Sequence, residues 1–309
     1  MPSPGQVQGD GLLTDISVAF EAQSAQFIGT KLMPIVEVQK EAGKFWTLDT
    51  ERHRFRRAET LRAPRTPAKQ VEWATGTATY QAEEHLLESP VDDRERDNAE
   101  GLEPDIEAQE AATEGVLLGR EAEIAALVTA AATYPAANVL TLGAGDQWGD
   151  AAANPIEDVI TIKEAIRAQI GRYPNTMGIP AAVVAKLQLH QKVIDRMGVT
   201  GLRVVTPDLL SALFEIPNVY VATAVENTAA EGLAATMADL WGKHVVIAYV
   251  PPRAGKRTLA LGYTFRVGGW KADSYRDDPR KSDVYRAGEI RVAKIVANGA
   301  GGVIRSAIA

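Results

Sequence analysis

The stretch from Pro104 to Thr133 limits this chain most, because it has the pattern of one long amphipathic helix. Proline suits the first helical turn, where its missing N–H is no loss. Asp105 and Glu107 crowd the N-terminal end, where the helix dipole favours carboxylates. Ile106, Thr113, Leu117, Ile124 and Ala131 recur at steps of four and seven residues, and Val116, Leu127 and Val128 widen the stripe. A helix of that length spans about 45 Å at about 1.5 Å per residue.

The helix opens inside an acidic segment. Residues 92–123 hold twelve acids and three bases, a net −9. Shortly before it, residues 51–72 hold Arg52, Arg54, Arg56, Arg57, Arg62, Arg65 and Lys69 against Glu51, Glu59 and Glu72, a net +4. This basic run contains Pro64 and Pro67 and has almost nothing to bury. It lies between two strand candidates, 44–55 and 71–81; the second alternates through Val71, Trp73, Thr75, Thr77 and Thr79 as a half-exposed strand does. One reading is a solvated mobile loop beside a solvated charged helix face. The other is a loop extended to reach something acidic, with Glu103, Asp105, Glu107, Glu110 and Glu114 as its counterpart on another copy of the chain.

The remaining segments read as follows. Residues 1–43 look like an arm: Pro2, Pro4, Gly5, Gly9 and Gly11 oppose regular structure, and isolated anchors such as Leu13, Ile16, Phe20, Phe27 and Leu32 follow. Residues 154–250 read as an α/β unit. Asn154-Pro155-Ile156-Glu157 has the form of a capped helix start, and Ile156, Val159, Ile160, Ile166 and Ile170 mark one face before Gly171 stops the helix. A short strand at 177–179, one or two helices over 180–197, a helix from Thr206 to Phe214 and strands at 219–225 and 244–250 follow. The last sixty residues are β-rich (258–267, 270–275, 289–296 and 303–308), with a charged hairpin tip around Pro279.

Composition closes off several classes of function. There is no cysteine, so disulfides and thiolate chemistry are excluded. A net charge of −7 and a pI near 5.3 argue against a dedicated nucleic-acid reader. No uncharged run is apolar enough for a membrane span, and the first ten residues lack the pattern of a secretory signal, so a soluble intracellular product is expected. The four histidines, His53, His85, His190 and His244, have no metal-ligand spacing. Asp93 to Asp97 imitates a calcium loop, but Asn98 stands where the turn glycine belongs and Pro104 where the last carboxylate belongs. Gly143-Ala144-Gly145 reads as a turn rather than a dinucleotide fingerprint. No catalytic, cofactor-binding or metal residue is assigned.

The order of parts carries more than any motif. IGTKLMPIVEVQKEAGKFWTLD, NPIEDVITIKEAIRAQIGRYPNTMGIPAAVVAKLQLHQKVIDRM, TPDLLSALFEIPNVYVATAVENTA and DLWGKHVVIAYVPP follow in sequence. Together with the basic excursion and the acidic helix they resemble the major capsid proteins of tailed bacteriophages, of the Hong Kong 97-type fold. That resemblance implies an α+β fold: an N-terminal arm (1–43), an extended β-loop (44–83), a peripheral domain with a long spine helix (84–153), an α/β axial domain (154–257) and a β-rich return to the peripheral domain (258–309). It also implies a structural coat protein, not an enzyme. Copies would form hexamers and pentamers of an icosahedral head around double-stranded DNA, held by weak non-specific contact. A separate scaffolding protein, a portal and decoration proteins are the implied partners, with no membrane, and assembly is expected in the host cytoplasm. Lys69 and Asn298 are present but no motif pairs them for cross-linking. An encapsulin-type shell of the same fold and a soluble α/β enzyme are the alternative readings.

Overall fold

The computed structural model describes residues 8–9, 11–24, 26–47, 57, 59–68, 70, 76–99, 103–198, 206–230, 232–255 and 258–309. It opens with a two-residue strand, β1 (Gln8–Gly9), and a helix, α1 (Gly11–Gln23). The arm is therefore more ordered than its glycines suggest. Leu13, Ile16 and Phe20 fall at helical spacing and pack toward the long helix, with Ala108, Ala112 and Val116 in the same cluster. The hydroxyl of buried Ser17 accepts hydrogen bonds from Gln109 Nε2 at 2.8 Å and Thr113 Oγ1 at 3.0 Å. These partners lie more than ninety residues away, so local composition carried no sign of them.

A single helical turn, α2 (Gly29–Leu32), leads into β2 (Ile35–Val38), which pairs in parallel with a later strand. β3 (Ala42–Thr47) and β4 (Gly76–Gln81) form an antiparallel ribbon in register from Ala42 with Gln81 to Thr47 with Gly76. Its root is aromatic: the rings of Phe45 and Tyr80 lie 5.3 and 4.8 Å from that of Phe265. The expected strands 44–55 and 71–81 are seen as these shorter pieces; 48–56 and 71–75 lie outside the described residues.

β5 (Glu83–Asp92) continues into a short helix, α3 (Asp93–Asn98), capped where the Asp92 side chain accepts from Arg94 N at 2.8 Å. The long helix, α4 (Pro104–Thr129), starts at the proline as expected but stops four residues early. Ala130 turns extended, residues 131–133 make a tight 3-10 turn, and Pro135 follows. The Thr133 and Tyr134 hydroxyls then donate to Leu127 O and Val128 O, both at 2.6 Å. They satisfy carbonyls that a helix end leaves open.

Next come β6 (Val139–Thr141), α5 (Pro155–Ile170), β7 (Thr176–Pro180), α6 (Ala181–Leu189), α7 (Gln191–Gly198), α8 (Pro207–Phe214) and β8 (Asn218–Ala222). A two-stranded ribbon of β9 (Val225–Asn227) and β10 (Met237–Asp239) precedes β11 (Val245–Ala248). Two details of α5 depart from the sequence reading. Asn154 makes no backbone cap; its amide instead donates to Glu157 Oε2 at 2.9 Å. The buried face runs through Val159, Ile162, Ile166 and Ile170, while Ile160 is exposed, because steps of three and four residues keep a side chain on one helix face. Gly171 ends the helix at φ 69° as expected.

The chain closes with β12 (Gly262–Asp277), β13 (Ser282–Ile295) and β14 (Gly301–Arg305). β12 and β13 form one long hairpin; Gly268 and Gly269, at φ 71° and 76°, absorb a register shift that the sequence reads as a break between two strands. A large sheet has the order β1-β12-β13-β5, with β2 beside β12, and α4 packs along β13 and β5. The second sheet has the order β6-β14-β11-β7-β8. β14, expected in the return to the peripheral domain, and β6, expected in that domain, thus both lie in the α/β unit. Backbone pairing decides this, helped by Gly302: a Cβ there would come within 2.8 Å of Asn138 O and 2.7 Å of Ile162 Cγ2.

Candidate inter-subunit surface

The acidic half of α4 sorts into two groups. Glu103, Glu107, Glu110 and Glu114 follow steps of three and four residues, so they line one face of the helix over about 16 Å. Glu103, Glu107 and Glu114 are exposed and Glu110 is half-buried. None of the four has an ion-pair partner among the described residues. Asp105 is different. Arg96 holds it at 2.8 Å while also contacting Asp283 at 2.7 Å, and Arg276 grips Asp93 with two hydrogen bonds of 2.6 Å. Asp105 also touches Tyr285, whose hydroxyl is pushed up to about 12 by burial first and this carboxylate second. Unlike the four glutamates, Asp105 already has its charge engaged within the chain.

On the basic side, Arg57, Arg62 and Arg65 are exposed, and Arg62 Nε donates to Thr66 O at 2.5 Å. Arg65 takes φ 68° in the turn. Arg52, Arg54, Arg56 and Lys69 lie outside the described residues.

The far half of the acidic segment turns inward. Arg120 on α4 is buried, with Nη1 3.1 Å from Glu289 Oε1 and Nη2 2.6 Å from Glu21 Oε1. Burial opposes its charge, but Glu289 and Glu21 more than offset this and hold its pKa above the ordinary arginine value. Glu289 on β13 also faces Arg291 Nε at 3.1 Å, at an angle too bent for a hydrogen bond, and Arg266 Nη1 at 3.7 Å. Arg291 in turn pairs with Glu123. Next along the helix, buried Glu121 accepts from Ile28 N at 2.8 Å, from Gly29 N at 2.8 Å and from Trp241 Nε1 at 2.8 Å. Burial raises its pKa, and those donors restrain the rise. The net −9 of residues 92–123 thus overstates the charge available outside. Sequence reasoning missed Glu289, Arg291 and Arg266 as partners; their only signal was charge at positions within apolar strands.

Among the described residues, no group of three His, Asp or Glu is placed to hold a metal ion, and no helix is long and apolar enough to cross a membrane. Residues 143–146 form the expected turn, Asp146 N donating to Gly143 O at 3.1 Å.

A long helix laid along an extended hairpin sheet, an antiparallel two-stranded ribbon whose connecting segment is basic, and an α/β lobe together define the Hong Kong 97-type α+β shell fold. A solved phage-related protein from Bordetella bronchiseptica RB50 matches it with a TM-score of 0.79 at 26% identity, over 97% of this chain and 98% of that one. The capsid of cyanophage P-SCSP1u shares the fold, with a TM-score of 0.56 at 13% identity over 89% of this chain and 86% of that one. No family model matches the chain. The major capsid protein of Burkholderia phage BcepMu is 33% identical over 286 residues, 91% of each chain. The chain belongs to the phage major capsid proteins, and its work is that of a coat protein that self-assembles into the capsid shell of a virion.

Proposed function

We propose that copies of this chain assemble as hexamers and pentamers into an icosahedral phage head enclosing double-stranded DNA, and that the basic loop of one copy lies on the acidic face of α4 in its neighbour. The observation that carries this reading is the stripe of Glu103, Glu107, Glu110 and Glu114, which has no ion-pair partner among the described residues. Four like charges at helical spacing repel one another, and exposed Arg57, Arg62 and Arg65 offer the opposite charge. Each exposed ion pair contributes only about 0–1 kcal/mol, so buried area and repetition around a closed shell supply most of the affinity. Charge chiefly sets register and partner choice.

The role is structural rather than catalytic. A separate scaffolding protein, a portal and decoration proteins are the further partners, and assembly takes place in the host cytoplasm. Contact with DNA is weak and independent of sequence, as the acidic balance requires. Identity to a phage coat protein favours a DNA-filled head over an encapsulin-type compartment for cargo enzymes; nucleic acid inside purified particles distinguishes the two. The loop contact is tested by reversing Arg54, Arg56 and Arg57 to Glu. The subunit is expected to fold while shells fail or close wrongly, and normal shells would refute the contact.

A further inference from the structure

Glycine is the least favourable helix-interior residue after proline, and α4 carries two, Gly115 and Gly119. Gly115 has a reason within the chain: a Cβ there would come within 2.5 Å of Leu87 Cδ1 on β5. At Gly119 a Cβ would meet nothing within 4 Å. Gly119 instead lines an open cleft of about 860 Å³ between α4, the roots of β3 and β4, β5 and β13. Lys44 and Lys294 also line it, and neither has an ion-pair partner among the described residues. Arg291 and Glu123 in the cleft engage each other, which leaves Glu83 as its one carboxylate without a cation among the described residues.

We propose that this cleft is a docking site for a second copy of the chain, which inserts an acidic segment with its backbone close against Gly119. The proposal rests on the shell reading and adds a second contact, separate from the loop tip. Glycine removes the side chain that would keep a partner's backbone away. Among the described residues, two lysines without a partner against one such carboxylate favour an acidic occupant, and a chain of net charge −7 presents acids more often than bases.

The cysteine-free chain makes the test direct. With Gly119→Cys, a maleimide is expected to label unassembled subunits ~10-fold faster than shells formed in producing cells, since thiol reactivity follows exposure. Equal rates would overturn the docking site. Gly119→Leu is expected to leave the unassembled subunit at least as stable as the wild type, because its side chain enters open space, yet to abolish shells. Normal shells, or a less stable subunit, would overturn the proposal. Lys44→Glu with Lys294→Glu is expected to block assembly, and Lys44→Arg with Lys294→Arg to permit it. Normal shells from the first pair would refute an acidic occupant. Failure of the loop-reversal test alone would leave these results standing, so the two contacts are judged apart.

Discussion

Glu289 Oε1 on β13 lies 3.1 Å from Arg120 Nη1 on α4, and both side chains are sealed from solvent. The pair joins the long helix to the hairpin sheet beneath it, and Glu21 extends it to α1. A buried carboxylate facing three guanidinium groups tolerates the loss of one poorly, because what remains is desolvated charge in a changed balance.

Arg120→Met should therefore destabilise the unassembled subunit by about 3 kcal/mol, the scale of breaking a buried pair. Denaturant unfolding of the two proteins measures this. An unchanged midpoint would mean that Arg266 and Arg291 suffice for Glu289.

Glu121→Ala removes the acceptor for two backbone N–H groups and the Trp241 indole. Each buried donor left unpaired costs about 1–3 kcal/mol. The variant should lose about 3 kcal/mol or more, with a red-shifted Trp fluorescence as solvent reaches the indole. Stability equal to wild type would remove Glu121 as the joint between α2, α4 and the segment before β11.

Burial first, and the charge of Arg291 second, lower the pKa of His85 below the ordinary 6.5. The folded subunit then binds this proton less tightly than the unfolded chain does. Stability is full above about pH 6.5 and is lost as pH falls from there through the folded value. Wild type should lose melting temperature relative to His85→Gln between pH 8 and pH 5. A difference that stays constant across that range contradicts the assignment.

Glu107→Lys, Glu110→Lys and Glu114→Lys together should block assembly as the loop reversal does. Combining them with Arg54→Glu, Arg56→Glu and Arg57→Glu should restore shells, visible by negative-stain microscopy. Rescue measures pairing rather than mere loss of charge, and its failure would separate the two surfaces.

Gly171→Ala forces a Cβ into the left-handed turn that ends α5. The expected cost is about 1–2 kcal/mol, read as a lower thermal midpoint. No change would show that the helix can end elsewhere.

Much of the local structure was legible. Pro104 and Gly171 punctuate the helices where the sequence places them, Thr206 caps α8, and the charged tip near Pro279 turns the long hairpin. The candidate surface was half legible. Spacing alone groups Glu103, Glu107, Glu110 and Glu114, but nothing in the spacing removes Asp105, whose partner Arg96 on α3 also pairs with Asp283 on β13.

The sequence by itself determined the long helix, the strong separation of basic loop from acidic segment, and the exclusion of thiol chemistry. These depend on residues a few positions apart or on composition alone. The tertiary structure decided that α1 docks on α4, that β14 leaves the hairpin sheet for the α/β sheet, and which charges face inward. Arg120 and Glu289 stand 169 residues apart, so whether either is a surface charge or a buried joint follows from packing, not from its neighbours in the chain.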